Sequence, residues 1–333
     1  MSNLIPGYRE YLESADSGYG VSGDTLANCL RHVSDASASV TRRLFQGEVN
    51  EVYDVELTDG LAVIVRISKS SAAVFGRERW AIERCAAKGI PVPEILSLSS
   101  HGEGPDQIEA CIQKKVRGRL LSLYGGSRRD RSRIAGQCGE WLREMHSITT
   151  TGFGYLDSDG RGTFSRAHDE AAEYQSLESG LLAAADAYGF ERSILIDSLA
   201  FVVQTIESRS VEPRLIHNDF EPKHIIVDGN KAKAIIDFGE ASGGDPINDL
   251  VRFSFCETDP VRFGDVLAGY GECDLTRLVA YRIGFSLFLV SGFHAKGFAA
   301  GAIEGYKRIQ SDWRKVCDSV RSVDLERDSN PLA

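Results

Sequence analysis

Two rhythms of apolar residues divide the chain. Between Thr41 and Val116 the pattern predicts strands: Tyr53, Val55 and Leu57 alternate with Asp54 and Glu56, Asp59-Gly60 supplies a turn, and Leu61 to Ile67 is an almost unbroken apolar run. A hairpin follows from that spacing. Phe75, Ile82 and Ala86 then recur at helical intervals until Gly89 and the Pro91-Val92-Pro93 stop, after which Glu94 to Leu98 and Ile108 to Val116 read as two more strands. Beyond Gly118 the period lengthens. Ile134, Cys138, Trp141 and Met145 share one helical face, and helical patterns cover roughly 167–188, 191–209, 246–257 and 275–322. The helical text breaks at 214–237, where Ile225 to Val227 and Ala234 to Ile236 flank the turn signal Asp228-Gly229-Asn230. The chain therefore predicts an α+β protein: a small antiparallel sheet lobe with one main helix, residues 1–116, then a larger, mainly helical lobe, residues 117–333. Residues 1–40, polar with Gly-rich turns, are expected to add a helix over the first lobe.

Composition narrows the function classes. A chain of 333 residues exceeds the usual span of one hydrophobic core, in keeping with two lobes. Thirty-eight basic against 48 acidic residues give a net charge of -10, a poor match to a nucleic-acid backbone. Seven scattered cysteines without a C-x-x-C pair argue against a disulfide framework or a zinc site and fit a reducing cytoplasm. The longest uncharged apolar stretch, Ile283 to Ala295, is 13 residues, too short to span a bilayer, and the opening Met1-Ser2-Asn3 lacks the basic and apolar regions of a secretory signal. No membrane partner is expected, and the chain is expected to act as a monomer. Gly18-Tyr19-Gly20-Val21-Ser22-Gly23 matches G-x-G-x-x-G but follows no strand, so it is set aside as a dinucleotide site. His32, His101, His146, His168 and His294 are read as surface or satisfied core histidines, and the Phe285, Phe288, Phe293, Phe298 run as helix packing.

Candidate chemistry gathers in the second hairpin. Leu215-Ile-His217-Asn-Asp219-Phe-Glu-Pro-Lys-His224 and Ile236-Asp237-Phe238-Gly239 place two carboxylates and an imidazole at the ends of short apolar strands. Phosphoryl transfer needs a carboxylate for the nucleophile's hydroxyl and ligands for Mg²⁺ across the nucleotide phosphates. Asp219, His224 and Asp237 suit those roles and are expected to meet around one ion.

These segments resemble the H-x-D-x-x-x-x-N and D-F-G loops of the protein-kinase-like superfamily, in its aminoglycoside phosphotransferase branch. Gly244-Asp245-Pro246 with Asp249-Leu250 resembles the G-D-P-x-x-D-L that follows in these antibiotic kinases, and Gly152-Phe153-Gly154 also falls in place. The resemblance implies a bilobal kinase-like fold with Asp219 catalytic, Asp237 and His224 as metal ligands, and His217, Asp245 and Asp249 supporting the loop. His224 stands where the family usually has Asn; an imidazole is a poorer partner for Mg²⁺ than an oxygen ligand and acceptable to Mn²⁺. Phe45 to Val55, with Gly47 and Asn50, resembles the nucleotide-binding loop, Arg66 takes the place of the strand lysine, and Glu78 is its helix partner. Ile112 to Lys115, with Ile112 and Lys114 as the named positions, would form the hinge and bind adenine through backbone groups. Glu240 is the candidate acceptor ligand within an acidic stretch that also holds Glu257, Asp259, Glu272 and Asp274. The implied reaction moves the γ-phosphoryl of ATP or GTP to a hydroxyl of a small cationic or polyhydroxylated acceptor. Rival readings are a metabolic kinase of the same fold, acting on choline, homoserine or a thiosugar, and a non-catalytic nucleotide-binding scaffold.

Overall fold

The structure, a computed structural model, describes Tyr8 and residues 20–44, 50–69, 74–102, 107–208, 211–256 and 262–328. Gly47, Glu257 and Asp259 lie outside the described residues, as do Gly18 and Tyr19. The first lobe opens with helix α1 (Gly23–Leu30), capped by the Ser22 hydroxyl. Strands β1 (Ala38–Leu44), β2 (Glu51–Leu57) and β3 (Ala62–Ser68) follow, then helix α2 (Val74–Ala87) and strands β4 (Ile95–His101) and β5 (Ile108–Lys114). The five strands form one antiparallel sheet in the order β1-β2-β3-β5-β4.

Strand alternation decides what each face of this sheet does. Val63, Val65 and Ile67 of β3 and Ile108, Ala110 and Ile112 of β5 turn to one side and join Leu26, Cys29 and Leu30 of α1 in an apolar cluster. Ile64 and Arg66 therefore face the opposite side, toward α2. That helix contributes Ala81, Ile82 and Cys85 to the large core of the second lobe rather than to the cluster on the α1 side. The sheet is thus covered by α1, while α2 fastens it to the other lobe.

In the second lobe come β6 (Arg119–Leu120), α3 (Arg128–Met145), β7 (Phe153–Leu156), β8 (Gly162–Phe164), α4 (Ala167–Gln175), α5 (Glu178–Tyr188) and α6 (Arg192–Ser208). Next are β9 (Arg214–Ile216), β10 (Ile225–Asp228), β11 (Lys231–Ile235), β12 (Ser242–Gly244), α7 (Ile247–Ser254), α8 (Phe263–Tyr270), α9 (Leu275–Ala295) and α10 (Ala299–Asp328). The predicted 275–322 helix is two helices, because Gly297 takes a left-handed φ of 71° and ends the run. The predicted 167–188 helix likewise parts at Ser176-Leu177. Strands β6 to β9 and β12, two to four residues long, are too short to carry a period.

By length and composition α9 could cross a membrane, since its 21 residues include a window of mean hydropathy 1.4. Its fully buried Ile283, Leu287 and Val290 place it in the lobe core instead, and its Arg282 pairs with Asp312 of α10 at 2.9 Å.

Helices α3 and α8 approach closely at paired glycines: a Cβ on Gly269 would sit 1.9 Å from the Gly136 carbonyl oxygen. Gly269→Ala must push the helices apart, an overpacking cost of about 1–3 kcal/mol. Thermal unfolding should show the midpoint falling by a few degrees, and an unchanged midpoint would contradict this packing.

Candidate active site

The catalytic-loop segment is held by a carboxylate beneath it. Asp249, fully buried on α7, accepts the backbone N–H groups of His217 at 2.8 Å and Asn218 at 2.7 Å. It also contacts His146 Nε2 at 3.1 Å, whose Nδ1 meets the Tyr270 hydroxyl at 3.0 Å. His146 is a satisfied core histidine, as its isolation in sequence suggests, and serves as a buried brace. His217 lies between the two loops: its Nδ1 accepts the Asp219 N–H at 3.3 Å, leaving Nε2 to donate to the Ile236 carbonyl at 3.0 Å. Burial lowers its pKa and the nearby His224 adds to the effect, so it works as a neutral connector. Phe220 and Phe238, beside the two acidic residues, are fully buried and pin both loops to the core. Asn218 and Asp237 have φ of 62° and 68°, the two left-handed non-glycine residues among those described, and both sit in this site. Asp245 is further back, bonding the Ile247 N–H at 3.1 Å and Arg277 at 3.0 Å.

Asp219 and Asp237 lie on opposite edges of the His224 ring. Nδ1 donates to the Asp219 backbone carbonyl at 2.7 Å and stands 3.6 Å from Asp219 Oδ2, whereas Nε2 stands 3.3 Å from Asp237 Oδ2. The three side chains gather in one place, with the imidazole between the two carboxylates. With Nδ1 donating to the Asp219 carbonyl, His224 presents Nε2 to the Asp237 carboxylate. An imidazole nitrogen beside a carboxylate is a donor set that fits a divalent ion taking its other ligands from phosphate and water. Among the described residues no group of three or more His, Cys, Asp or Glu forms a metal cage. Burial pushes the Asp219 carboxyl up, but His224, Lys223 at 3.3 Å and Arg252 at 3.8 Å outweigh it and hold it well below the usual carboxylate range. Burial likewise opposes ionisation of Asp237, and Arg66 with His224 overcomes it, setting the pKa at about 2.

On the small-lobe side, the buried Arg66 pairs with Glu78 of α2 through one nitrogen and reaches Asp237 Oδ1 at 2.6 Å with the other. Gln113, unremarked in sequence, donates to Glu78 Oε1 at 2.9 Å. Burial pushes the Glu78 carboxyl up while the guanidinium beside it pulls it back. Arg77, one position earlier on α2, donates to the backbone carbonyls of Leu156 at 2.9 Å and Gly239 at 3.1 Å, tying the helix to the second lobe. Asn50 precedes β2, and its amide oxygen is buried without a hydrogen bond among the described residues. Two hinge expectations change. Ile112 is fully buried in the α1-side cluster and paired with Val65 and Ser97 on its two flanks, so neither its side chain nor its ladder position faces a ligand. Lys114 gives its N–H to the Glu94 carbonyl at 2.8 Å and its ammonium stands 3.6 Å from the Glu94 carboxylate. The chain leaves the β5 ladder only after Lys115, whose N–H bonds the Ala62 carbonyl at 3.0 Å.

Toward the acceptor side, Glu240 Oε2 accepts the Tyr155 hydroxyl at 2.7 Å, and the Arg77 guanidinium lies 4.7 Å from the centre of the Tyr155 ring. Asp274 is instead the N-cap of α9, bonding the N–H groups of Thr276 and Arg277. With Glu272 it lines a separate cavity of about 670 Å³ bordered by Arg143, His146 and Tyr270, behind the loop brace and away from Asp219.

A small antiparallel lobe fastened by one helix to a larger helical lobe, with the paired loops between them, is the architecture of the protein-kinase-like phosphotransferases. A model of the APH phosphotransferase enzyme family matches residues 41–281, and the chain belongs to that family. It is 22% identical over 231 residues to the hygromycin-B 4-O-kinase of Escherichia coli, covering 66% of this chain and 63% of that relative's length. Among solved structures, a thermostable aminoglycoside phosphotransferase APH(4)-Ia in ternary complex with AMP-PNP and hygromycin B matches with a TM-score of 0.67 at 18% identity, over 87% of this chain and 98% of the other. The gentamicin complex of APH(2'')-IIa matches with a TM-score of 0.60 at 16% identity, over 88% and 97%.

Arg66→Met leaves Glu78 charged in a fully buried position and should cost about 3–5 kcal/mol, whereas the double variant Arg66→Met/Glu78→Leu should recover much of that loss. Denaturant unfolding of the two variants decides it; equal losses would mean the pair is not buried as described. Because the Asp237 pKa is depressed to about 2, its contribution is complete above an unfolded value of about 3.9 and is lost as pH falls toward about 2. Asp237→Asn should therefore lose less stability than the parent across that window, and thermal midpoints measured at its two ends test the difference.

Proposed function

We propose that this chain is a small-molecule kinase that moves the γ-phosphoryl group of ATP or GTP to a hydroxyl of an antibiotic of the aminoglycoside type, conferring resistance. The observation that carries the reading is the division of the site by His224. On one edge of the ring is the Asp237 carboxylate tied to Arg66 and Glu78; on the other is Asp219, with no direct link to that pair. Donor phosphate and acceptor hydroxyl can then approach from two sides. Family membership and likeness to kinases whose names specify hygromycin B and gentamicin support the acceptor class.

Asp237 and His224 would hold the metal, Mg²⁺ or Mn²⁺, which when bound supplies positive charge to the nucleotide phosphates. Arg66, already pointed at Asp237 by Glu78, adds a two-pronged cation on that side. Asp219 accepts the acceptor's hydroxyl proton in a hydrogen bond and so aims the oxygen at phosphorus. A carboxylate held so far below its ordinary range is a weak base, and the loose transition state of phosphoryl transfer asks little deprotonation early in the reaction. Its chief contribution is orientation, with the proton arriving as the new P–O bond completes. Glu240, whose Oε1 has no hydrogen bond among the described residues, would take an ammonium of the acceptor.

Transfer from labelled ATP and GTP to a panel of aminoglycosides, other antibiotics and small alcohols tests the function. Asp219→Asn should lower turnover by about 10²- to 10⁴-fold while nucleotide binding persists. Near-parental turnover would remove Asp219 from its role, and no transfer to any acceptor would remove the function.

A further inference from the structure

The two oxygens of Asp219 face different surroundings. Oδ2 looks toward Lys223 and the Nδ1 edge of His224, at 3.3 and 3.6 Å, the edge opposite the one that faces Asp237. Oδ1 looks the other way, toward Arg252 of α7. That arginine is distinctive. Its guanidinium lies 4.0 Å from the centre of the Phe285 ring on α9, which fixes its plane, and its side chain is 15% exposed. Its guanidinium makes no hydrogen bond among the described residues: Nη1, which stands 3.8 Å from Asp219 Oδ1 and so beyond hydrogen-bond reach, is closed to solvent, and the exposed part of the side chain lies elsewhere on the group. A largely buried cation with unfilled donors is costly to the fold and is normally paired by something.

The position of that donor says what could pair it. An acceptor hydroxyl that donates to Asp219 from the Oδ1 side brings the substituent on its neighbouring carbon alongside Arg252. A guanidinium attracts an oxygen lone pair there and repels an ammonium, and Lys223 on the other flank of Asp219 reinforces the preference. Ammonium groups are better placed toward Glu240.

We propose that Arg252 is an acceptor-recognition residue: its guanidinium, partly exposed beside Asp219, donates to an oxygen on the carbon next to the reacting hydroxyl, so the site selects acceptors with a vicinal oxygen at that position. The proposal rests on the kinase reading above and deepens it. Nothing in the spacing around Asp249 singles out Arg252, because its role depends on where α7 and α9 place it relative to Asp219.

The test uses the best acceptor found in the panel and analogues in which each oxygen flanking the phosphorylated hydroxyl is replaced in turn by hydrogen or by an amine. With the parent enzyme, one of these replacements should lower kcat/KM by about ten- to a hundredfold. In Arg252→Met that penalty should shrink to less than about threefold, and Arg252→Lys should keep part of it. Nucleotide binding, followed as a thermal shift with ADP, should stay as in the parent and certifies a folded variant. An undiminished penalty in Arg252→Met overturns the proposal while leaving the kinase reading intact. So does an equal slowing of transfer to every acceptor and of nucleotide hydrolysis, which would place Arg252 on the phosphoryl group instead. Failure of the parent to phosphorylate any acceptor removes the kinase reading, and this proposal with it.

Discussion

Arg66 is a cation sealed inside a protein, and a sealed cation must be matched. Its partners come from two places: Glu78 on the helix of the small lobe and Asp237 on a loop of the large one, 171 positions away along the chain. The burial of Arg66 and Glu78 makes it expensive to strip the guanidinium of its partners, so the lobes are joined where the nucleotide is proposed to bind. The helix carrying Glu78 is secured independently by its apolar face in the second-lobe core and by Arg77, which holds two backbone carbonyls of that lobe. Gln113 takes up a further valence of Glu78. The pair is therefore positioned from several directions.

A similar economy holds the second loop. One buried carboxylate, Asp249, satisfies two successive backbone N–H groups that the sharp turn at Asn218 would otherwise leave open, and His217 passes the constraint across to the Ile236 carbonyl. Left-handed backbone at Asn218 and Asp237 is tolerated because the flanking Phe220 and Phe238 are locked into the core. Rigid support from below frees the side chains of Asp219 and Asp237 to face the crevice, where their charges are set by what surrounds them. Asp237 has an arginine of the small lobe; Asp219 has Lys223 and Arg252 of its own lobe. His224 lies beside both, so the two carboxylates stay ionised through one shared neighbour and separate cationic side chains, and can serve different partners.

Much of this was legible in the order of residues. Strand alternation located the hairpin of Val55 and Val65 and the strand holding Arg66, helical spacing located Phe75 to Ala86, and the resemblance of the His217 to Gly239 segment to the kinase loops identified the family. Where the reading failed, the failure has a common cause. Ile112 and Lys114 are expected to meet adenine through their backbones, yet β5 stays paired through Lys114. Arg77 and Arg252 gave no signal, since each acts on residues distant in sequence.

Periodicity, turn chemistry and motif spacing are properties of neighbouring residues, so they determined the elements, the two-lobed class and the acidic residues of the loops. The partition of those acidic residues around the His224 ring was decided only by the tertiary structure, as were the sharing of Arg66 between lobes and the aim of Arg252 at Asp219. These depend on how separate elements cross in space, and in a low-dielectric crevice a few ångströms determine which charge each carboxylate meets.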